Sequence, residues 1–147
     1  MADIKHVKKW LEYSQNDYDA AVVLESTVWP KFLEAVCYHC QQSIEKALKA
    51  VLAYYNADIP KTHNIEELSN KCKQYDASII IERKLAQTMT RFATTSRYPD
   101  FDTLLIEGDA ELALKIAKQV LDMVKQTLNI AEDGQKEKTD QPDKVPE

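Results

Sequence analysis

Residues 32–55 read FLEAVCYHCQQSIEKALKAVLAYY, and this stretch decides the fold. Apolar side chains recur through it at steps of three and four residues, which places them on one face of an α-helix. The apolar stripe consists of Leu33, Val36, Cys37, Cys40, Ile44, Ala47, Leu48, Val51, Leu52 and Tyr55. Largely outside the stripe lie His39, Gln42, Glu45, Lys46 and Lys49. The pattern predicts one long amphipathic helix, with Glu45 and Lys49 at the spacing of a helical ion pair.

Four further segments show the same helical periodicity, and no strand-like alternation of useful length occurs. These predicted helices span residues 4–24, 65–74, 77–95 and 109–128. The short one has Asn64 as a candidate N-cap, with Glu67 at capping-box spacing, and the last has Asp109 as its candidate N-cap. The sequence therefore predicts an all-α fold, an up-and-down four-helix bundle with an additional short helix.

Composition divides the chain into one folded domain and a tail. The 147 residues are 44% hydrophobic and contain only 2 glycines, which favours a single helical domain over a hairpin-rich fold. We expect this domain to span residues 1–130. Residues 131–147 are charged and nearly devoid of apolar side chains, so we expect a disordered tail there.

The charge and the cysteines limit the classes of function. A net charge of -5 argues against a broad basic surface for duplex DNA. No apolar run is long enough for a membrane span, and three cysteines within helical patterns favour a reducing, cytoplasmic setting. The C-x-x-C formed by Cys37 and Cys40 has the spacing of a redox pair or half a zinc site. We expect both thiols to be small buried hydrophobic groups instead, because no second ligand pair accompanies them.

Two groups of polar residues are candidates for binding. The only arginines are Arg83, Arg91 and Arg97, and the forked guanidinium suits phosphate or carboxylate better than an ammonium does. A solvated helix face with ion pairs is the alternative interpretation of these arginines. His63 precedes the short helix, where it is either a loop residue beside a cap or a ligand-pocket side chain.

Three stretches resemble one known family in their order and spacing. Residues 38–50, YHCQQSIEKALKA, are similar to the family's second helix; residues 61–65, KTHNI, to the segment before its third; and residues 96–100, SRYPD, to the turn after its fourth. Together they resemble the HEPN domain (higher eukaryotes and prokaryotes nucleotide-binding), over residues 7–128. The resemblance implies a helical bundle that typically dimerises and associates with nucleotides or RNA. It also implies a minimal nucleotidyltransferase as a partner, in toxin–antitoxin-like pairs.

The chain departs from the ribonucleases of that family. Active members resemble one another in an arginine followed, after four to six residues, by a histidine, and these residues meet across the dimer. Here every arginine follows all three histidines, and the permitted positions after Arg91 hold Ser96, Arg97 and Tyr98. A metal-free ribonuclease needs an acid or base that titrates near neutrality, and none stands at these positions.

We therefore expect a binding module with no catalytic residue, metal or cofactor of its own. The expected ligand- or partner-binding residues are Arg91, Arg97, Tyr98, Asp100 and His63. Expected partners are a second copy of the chain, a minimal nucleotidyltransferase, and a nucleotide or RNA, but no membrane. Two alternatives stay open: an atypical, toxin-like ribonuclease that lacks the arginine–histidine motif, and a purely structural dimeric scaffold.

Overall fold

A computed structural model describes residues 2–27, 32–94 and 105–130 of the chain. They form five helices, in the order α1 (Ile4–Glu25), α2 (Leu33–Tyr54), α3 (Ile65–Tyr75), α4 (Arg83–Thr94) and α5 (Glu107–Leu128). These ranges contain no β-strand, so the predicted all-α helical bundle is confirmed. None of the helices found in them has the length and apolar character that a membrane span needs. The predicted disordered tail, residues 131–147, lies outside the described residues.

The second helix is the centre of the bundle, as the sequence predicts. It packs against α1, α3, α4 and α5, and its apolar stripe supplies much of the core. Ile44, Leu48 and Leu52 are among the largest side chains that are fully buried. Because α2 has neighbours on several sides, its buried surface is much wider than one amphipathic stripe, and polar residues outside the stripe are buried as well. The helix ends where Asn56 adopts a left-handed backbone with a φ of 53°, in agreement with the predicted end.

The fourth helix begins at Arg83, six residues later than predicted. Asp76 and Ser78 form a turn instead, in which the Ser78 N–H and hydroxyl both donate to Asp76 Oδ1. Residues 79–81 are three consecutive isoleucines, whose branched side chains restrict χ1 and lower helix propensity. Ile79 and Ile81 are buried whereas Ile80 is 67% exposed, an alternation that a helix would not give. Competition by a side-chain turn and a β-branched run explains the late start.

The helix caps are partly as predicted. The Asn64 side chain accepts the Glu67 N–H at 3.0 Å, so the predicted N-cap of α3 is confirmed. The predicted N-cap role of Asp109 is wrong, because α5 starts at Glu107 and Ile106 occupies the cap position. Asp109 instead lies in the first turn, where its Oδ2 accepts the Ile106 N–H at 2.9 Å. A carboxylate there also interacts favourably with the helix dipole.

Candidate functional site

The most deeply buried charges of the described residues belong to one cluster, the α2–α3 cluster, which consists of Glu45, Lys49 and His63. The Lys49 ammonium donates to Glu45 Oε1 at 3.0 Å, which confirms the predicted ion pair. The same carboxylate oxygen lies 2.8 Å from Nδ1 of His63. The Glu45 and Lys49 side chains are only 3% and 10% exposed, whereas that of His63 is 70% exposed. Glu45 and Lys49 therefore form an interior ion pair, and its carboxylate also binds an imidazole that is exposed at the surface.

The backbone of His63 is held by the same side of α2. Gln41, which is fully buried and one turn before Glu45, donates from Nε2 to the His63 carbonyl at 3.1 Å. Two side chains of α2 thus bind one residue, one through its ring and one through its backbone. This arrangement fixes the loop that leads into α3, and with it the position of Asn64.

A second cluster of the same composition, the α1–α2 cluster, consists of Asp17, His39 and Lys46. Asp17 of α1 binds Nδ1 of His39 at 2.9 Å through Oδ1, and its Oδ2 accepts from Lys46. The exposed fractions of the three side chains lie between 13% and 33%. Beside this cluster, the buried Ser14 hydroxyl of α1 donates to the Ser43 carbonyl at 2.6 Å. The polar side chains of residues 38–50 therefore bind α2 to α1 and to the loop before α3, through hydrogen bonds and ion pairs.

The thiols take no part in these clusters. Cys37, Cys40 and Cys72 are all fully buried, which confirms the predicted hydrophobic role of the first two. Burial raises the pKa of the Cys37 and Cys72 thiols to about 12 and that of Cys40 further still, with nearby carboxylates adding to the shift at Cys37. Such thiols are protonated at neutral pH and are poor nucleophiles and metal ligands. No group of three or more His, Cys, Asp and Glu in residues 2–27, 32–94 and 105–130 is arranged to hold a metal ion.

A surface cleft of about 410 Å³ lies between the N-terminal end of α3 and α4. Its lining consists of Asn64, Glu66, Lys84, Gln87, Thr88, Thr90 and Arg91. The two helices are joined by a hydrogen bond in which the Ile65 N–H donates to Oγ1 of Thr90, a lining residue, at 2.9 Å. We call this feature the α3–α4 cleft. All its side chains are polar or charged, so it suits a hydrophilic ligand.

The charges of the α3–α4 cleft favour an anion. Among the described lining residues the one acidic side chain is Glu66, which is bound by Arg83 Nε at 3.0 Å and by the Gln87 amide at 3.1 Å. Lys84 and Arg91 add two positive charges. The Arg91 guanidinium donates to Oγ1 of Thr88, another lining residue, at 3.3 Å. The described lining therefore carries a net positive charge, in a chain whose net charge is -5.

The family follows from a comparison with known domains. The HEPN domain model matches residues 7–127, most of the chain. The chain belongs to the HEPN domain family. A search of curated proteins finds no significant match.

Two solved structures share the HEPN fold seen here. One is TT1696 from Thermus thermophilus, with a TM-score of 0.65 and 21% sequence identity over 82% of this chain and 96% of that one. The other is ST0689, an archaeal HEPN homologue, with a TM-score of 0.63 and 23% identity over 83% of this chain and 97% of that one. At these identities the likeness shows the fold alone.

Within this HEPN domain, the predicted site residues separate into two groups. Arg91 lines the α3–α4 cleft, and His63 directly precedes Asn64, which also lines it. Arg97, Tyr98 and Asp100 lie outside the described residues. The sequence reasoning missed Lys84 as a cleft residue and Glu45 as the partner of His63. The four-residue spacing of Gln41, Glu45 and Lys49 was the one available signal of a shared polar face on α2.

Proposed function

We propose that this HEPN domain is a nucleotide- or RNA-binding module without nuclease activity, and that a phosphate group of the ligand binds in the α3–α4 cleft. The observation that carries the proposal is that Lys84 and Arg91 both line a polar cleft in which Glu66, the one carboxylate among the lining residues that the structure describes, is bound by Arg83. Charge-assisted hydrogen bonds from such groups are the usual means of holding phosphate in proteins.

The residues after α4 are proposed to complete this site. Arg97, Tyr98 and Asp100 follow Thr94, the last residue of α4, by three to six positions. A second guanidinium would add to the binding of phosphate, and a tyrosine ring can stack on a base. We also propose that the domain forms a homodimer, since HEPN domains often dimerise, and that a minimal nucleotidyltransferase is a second partner.

Binding assays on single variants test the phosphate site. We expect Lys84→Ala and Arg91→Ala each to weaken binding of a short single-stranded RNA about tenfold. Each loss should also reduce the slope of log Kd against log salt concentration by about 0.7, the value for one phosphate contact on a single strand. Titration by fluorescence anisotropy at several salt concentrations measures both quantities.

Lys115→Ala is the matched control for these variants. Lys115 is an exposed lysine of α5, and it does not line the cleft, so its loss removes the same charge elsewhere. Unchanged binding by Lys84→Ala and Arg91→Ala would overturn the proposed site. Incubation of RNA with the pure protein tests the absence of nuclease activity, because cleavage that Arg91→Ala abolishes would support the atypical ribonuclease instead.

A further inference from the structure

Glu66 gives the α3–α4 cleft an anion of its own. It lies in the first turn of α3, and each of its two carboxylate oxygens is bound by a different side chain of α4. Oε1 accepts from Arg83 Nε at 3.0 Å, and Oε2 accepts from the Gln87 amide at 3.1 Å. Arg83 and Gln87 are four residues apart, so they are neighbours on one face of α4. Two adjacent donors of α4 thus hold one oxyanion.

A phosphate group can make the same contact as this carboxylate. Both groups present two oxygens to a pair of N–H donors, and arginine binds both of them in that way. Gln87 lines the cleft, whereas the Arg83 guanidinium is outside the lining and contacts the cleft through the Glu66 carboxylate. Displacement of this one carboxylate would therefore make a guanidinium and an amide available to a ligand in the cleft.

The carboxylate is held weakly enough for a ligand to displace it. The Arg83 side chain is 79% exposed and that of Glu66 is 29% exposed, and an ion pair with such an exposed partner contributes little to stability because water competes for it. The packing of α3 on α4 has other support. Ile65 of α3 and Met89 of α4 are fully buried in the core, and the Ile65 N–H donates to Thr90 Oγ1 at 2.9 Å. The two helices can therefore stay together when Glu66 moves.

We infer that Arg83 and Gln87 form a second phosphate subsite of the cleft, which the Glu66 carboxylate occupies in the free protein and a second phosphate of the ligand occupies in the complex. The inference rests on the proposed function, because Lys84 and Arg91 hold the first phosphate. Glu66 then lowers the affinity in two ways. The ligand has to displace it from its donors, and its negative charge remains beside the bound phosphates. Glu66 is thus an internal competitor that limits how tightly the cleft binds an anion.

The first test is the neutral variant Glu66→Gln, titrated with the short single-stranded RNA of the phosphate-site assay. The amide keeps the size of the side chain but removes its charge, so the two donors are released at a lower cost. We expect the RNA to bind about fivefold more tightly than to the wild type, the equivalent of one exposed ion pair.

Glu67→Gln is the matched control for this variant. Glu67 is the next residue of α3, is exposed, and does not line the cleft, and its carboxylate accepts from the Thr62 hydroxyl at 3.2 Å. The control therefore removes the same charge without releasing a donor of α4. Because solvent and salt screen an exposed charge, its effect on RNA affinity should be much smaller than that of Glu66→Gln.

The second test asks whether Arg83 contacts the ligand or only neutralises Glu66. In the Glu66→Gln protein there is no charge left to neutralise, so any remaining effect of Arg83 comes from the ligand. In that background we expect Arg83→Ala to weaken RNA binding about tenfold. The slope of log Kd against log salt concentration should fall by about 0.7, the value for one phosphate contact on a single strand.

Two results would overturn the inference and leave the phosphate site of Lys84 and Arg91 standing. One is an affinity of Glu66→Gln that is equal to or weaker than that of the wild type, which would make Glu66 a structural contact between the helices. The other is a double variant that binds RNA as Glu66→Gln does, with an unchanged salt slope, which would limit Arg83 to neutralising Glu66. If neither the wild type nor Glu66→Gln binds RNA, the proposed function is overturned together with the inference.

Discussion

The two lysine–carboxylate–histidine clusters have the same composition but lie at different depths. In the α1–α2 cluster, Asp17, His39 and Lys46 are all partly exposed, and the carboxylate comes from a different helix than its two partners. In the α2–α3 cluster, Glu45 and Lys49 are buried neighbours on one helix, and only the histidine reaches solvent. The first cluster joins two helices, whereas the second connects the interior with the surface.

Because the clusters differ in depth, removing the carboxylate of one should affect stability differently from removing the carboxylate of the other. Water can replace a lost partner in the α1–α2 cluster, so each of its three residues contributes only modestly to the stability of the fold. Water has little access to Lys49, so removal of Glu45 leaves a buried charge without its partner. His63 is bound to that carboxylate but exposed, so its contribution to stability is small even though its orientation depends on the buried pair.

The largest effect is expected for Glu45→Ala. The variant leaves the Lys49 ammonium buried without its carboxylate, and we expect it to lower the free energy of unfolding by about 3–5 kcal/mol. Urea denaturation followed by circular dichroism measures the loss.

The double variant Glu45→Leu/Lys49→Met is the control for that result, because it removes both charges and keeps the volume. Most of the lost stability should return, since apolar replacements of a buried ion pair are often neutral or stabilising. A loss below about 1 kcal/mol in Glu45→Ala would show that water reaches Lys49 and that the two clusters are alike.

A smaller effect is expected for Asp17→Ala. Both partners of this carboxylate are partly exposed, so they regain water when it is removed. We expect a loss of about 1–2 kcal/mol, measured by the same denaturation experiment. A loss as large as that of Glu45→Ala would contradict the distinction between the clusters.

The smallest effect is expected for His63→Ala. The exposed ring leaves behind a carboxylate that still has Lys49, and water can occupy the vacated position. We expect the free energy of unfolding to fall by less than about 1 kcal/mol. A loss as large as that of Glu45→Ala would instead make His63 a structural member of its cluster.

The sequence predicts the core of the bundle because periodicity reports burial directly. The predicted apolar stripe lies in the core except for Tyr55, which follows the end of α2 and is 36% exposed. The i,i+4 spacing of Glu45 and Lys49 correctly indicates an ion pair. The depth of that pair was not predictable. The same spacing describes a solvated pair, and burial depends on Trp10 of α1 and on His63, which are distant in sequence.

The candidate site was predictable to a lesser degree for a similar reason. Arg91 was found through the chemistry of its side chain, which suits phosphate wherever it lies. Lys84 and Asn64 had no such signal, because the cleft exists only where the first turn of α3 meets α4. The late start of α4 also escaped prediction, since the periodicity of residues 77–82 did not reveal the turn made by Asp76 and Ser78.

The central position of α2 has a consequence for the way the molecule opens. Because α2 contacts each of the other four helices, the detachment of any one of them leaves α2 covered by the other three. The amide protons in the middle of α2 should therefore exchange with solvent only when the whole domain unfolds, whereas those of α1, α3, α4 and α5 can also exchange through partial openings. The exchange rate of the α2 amides is thus a direct report of the global stability of the domain.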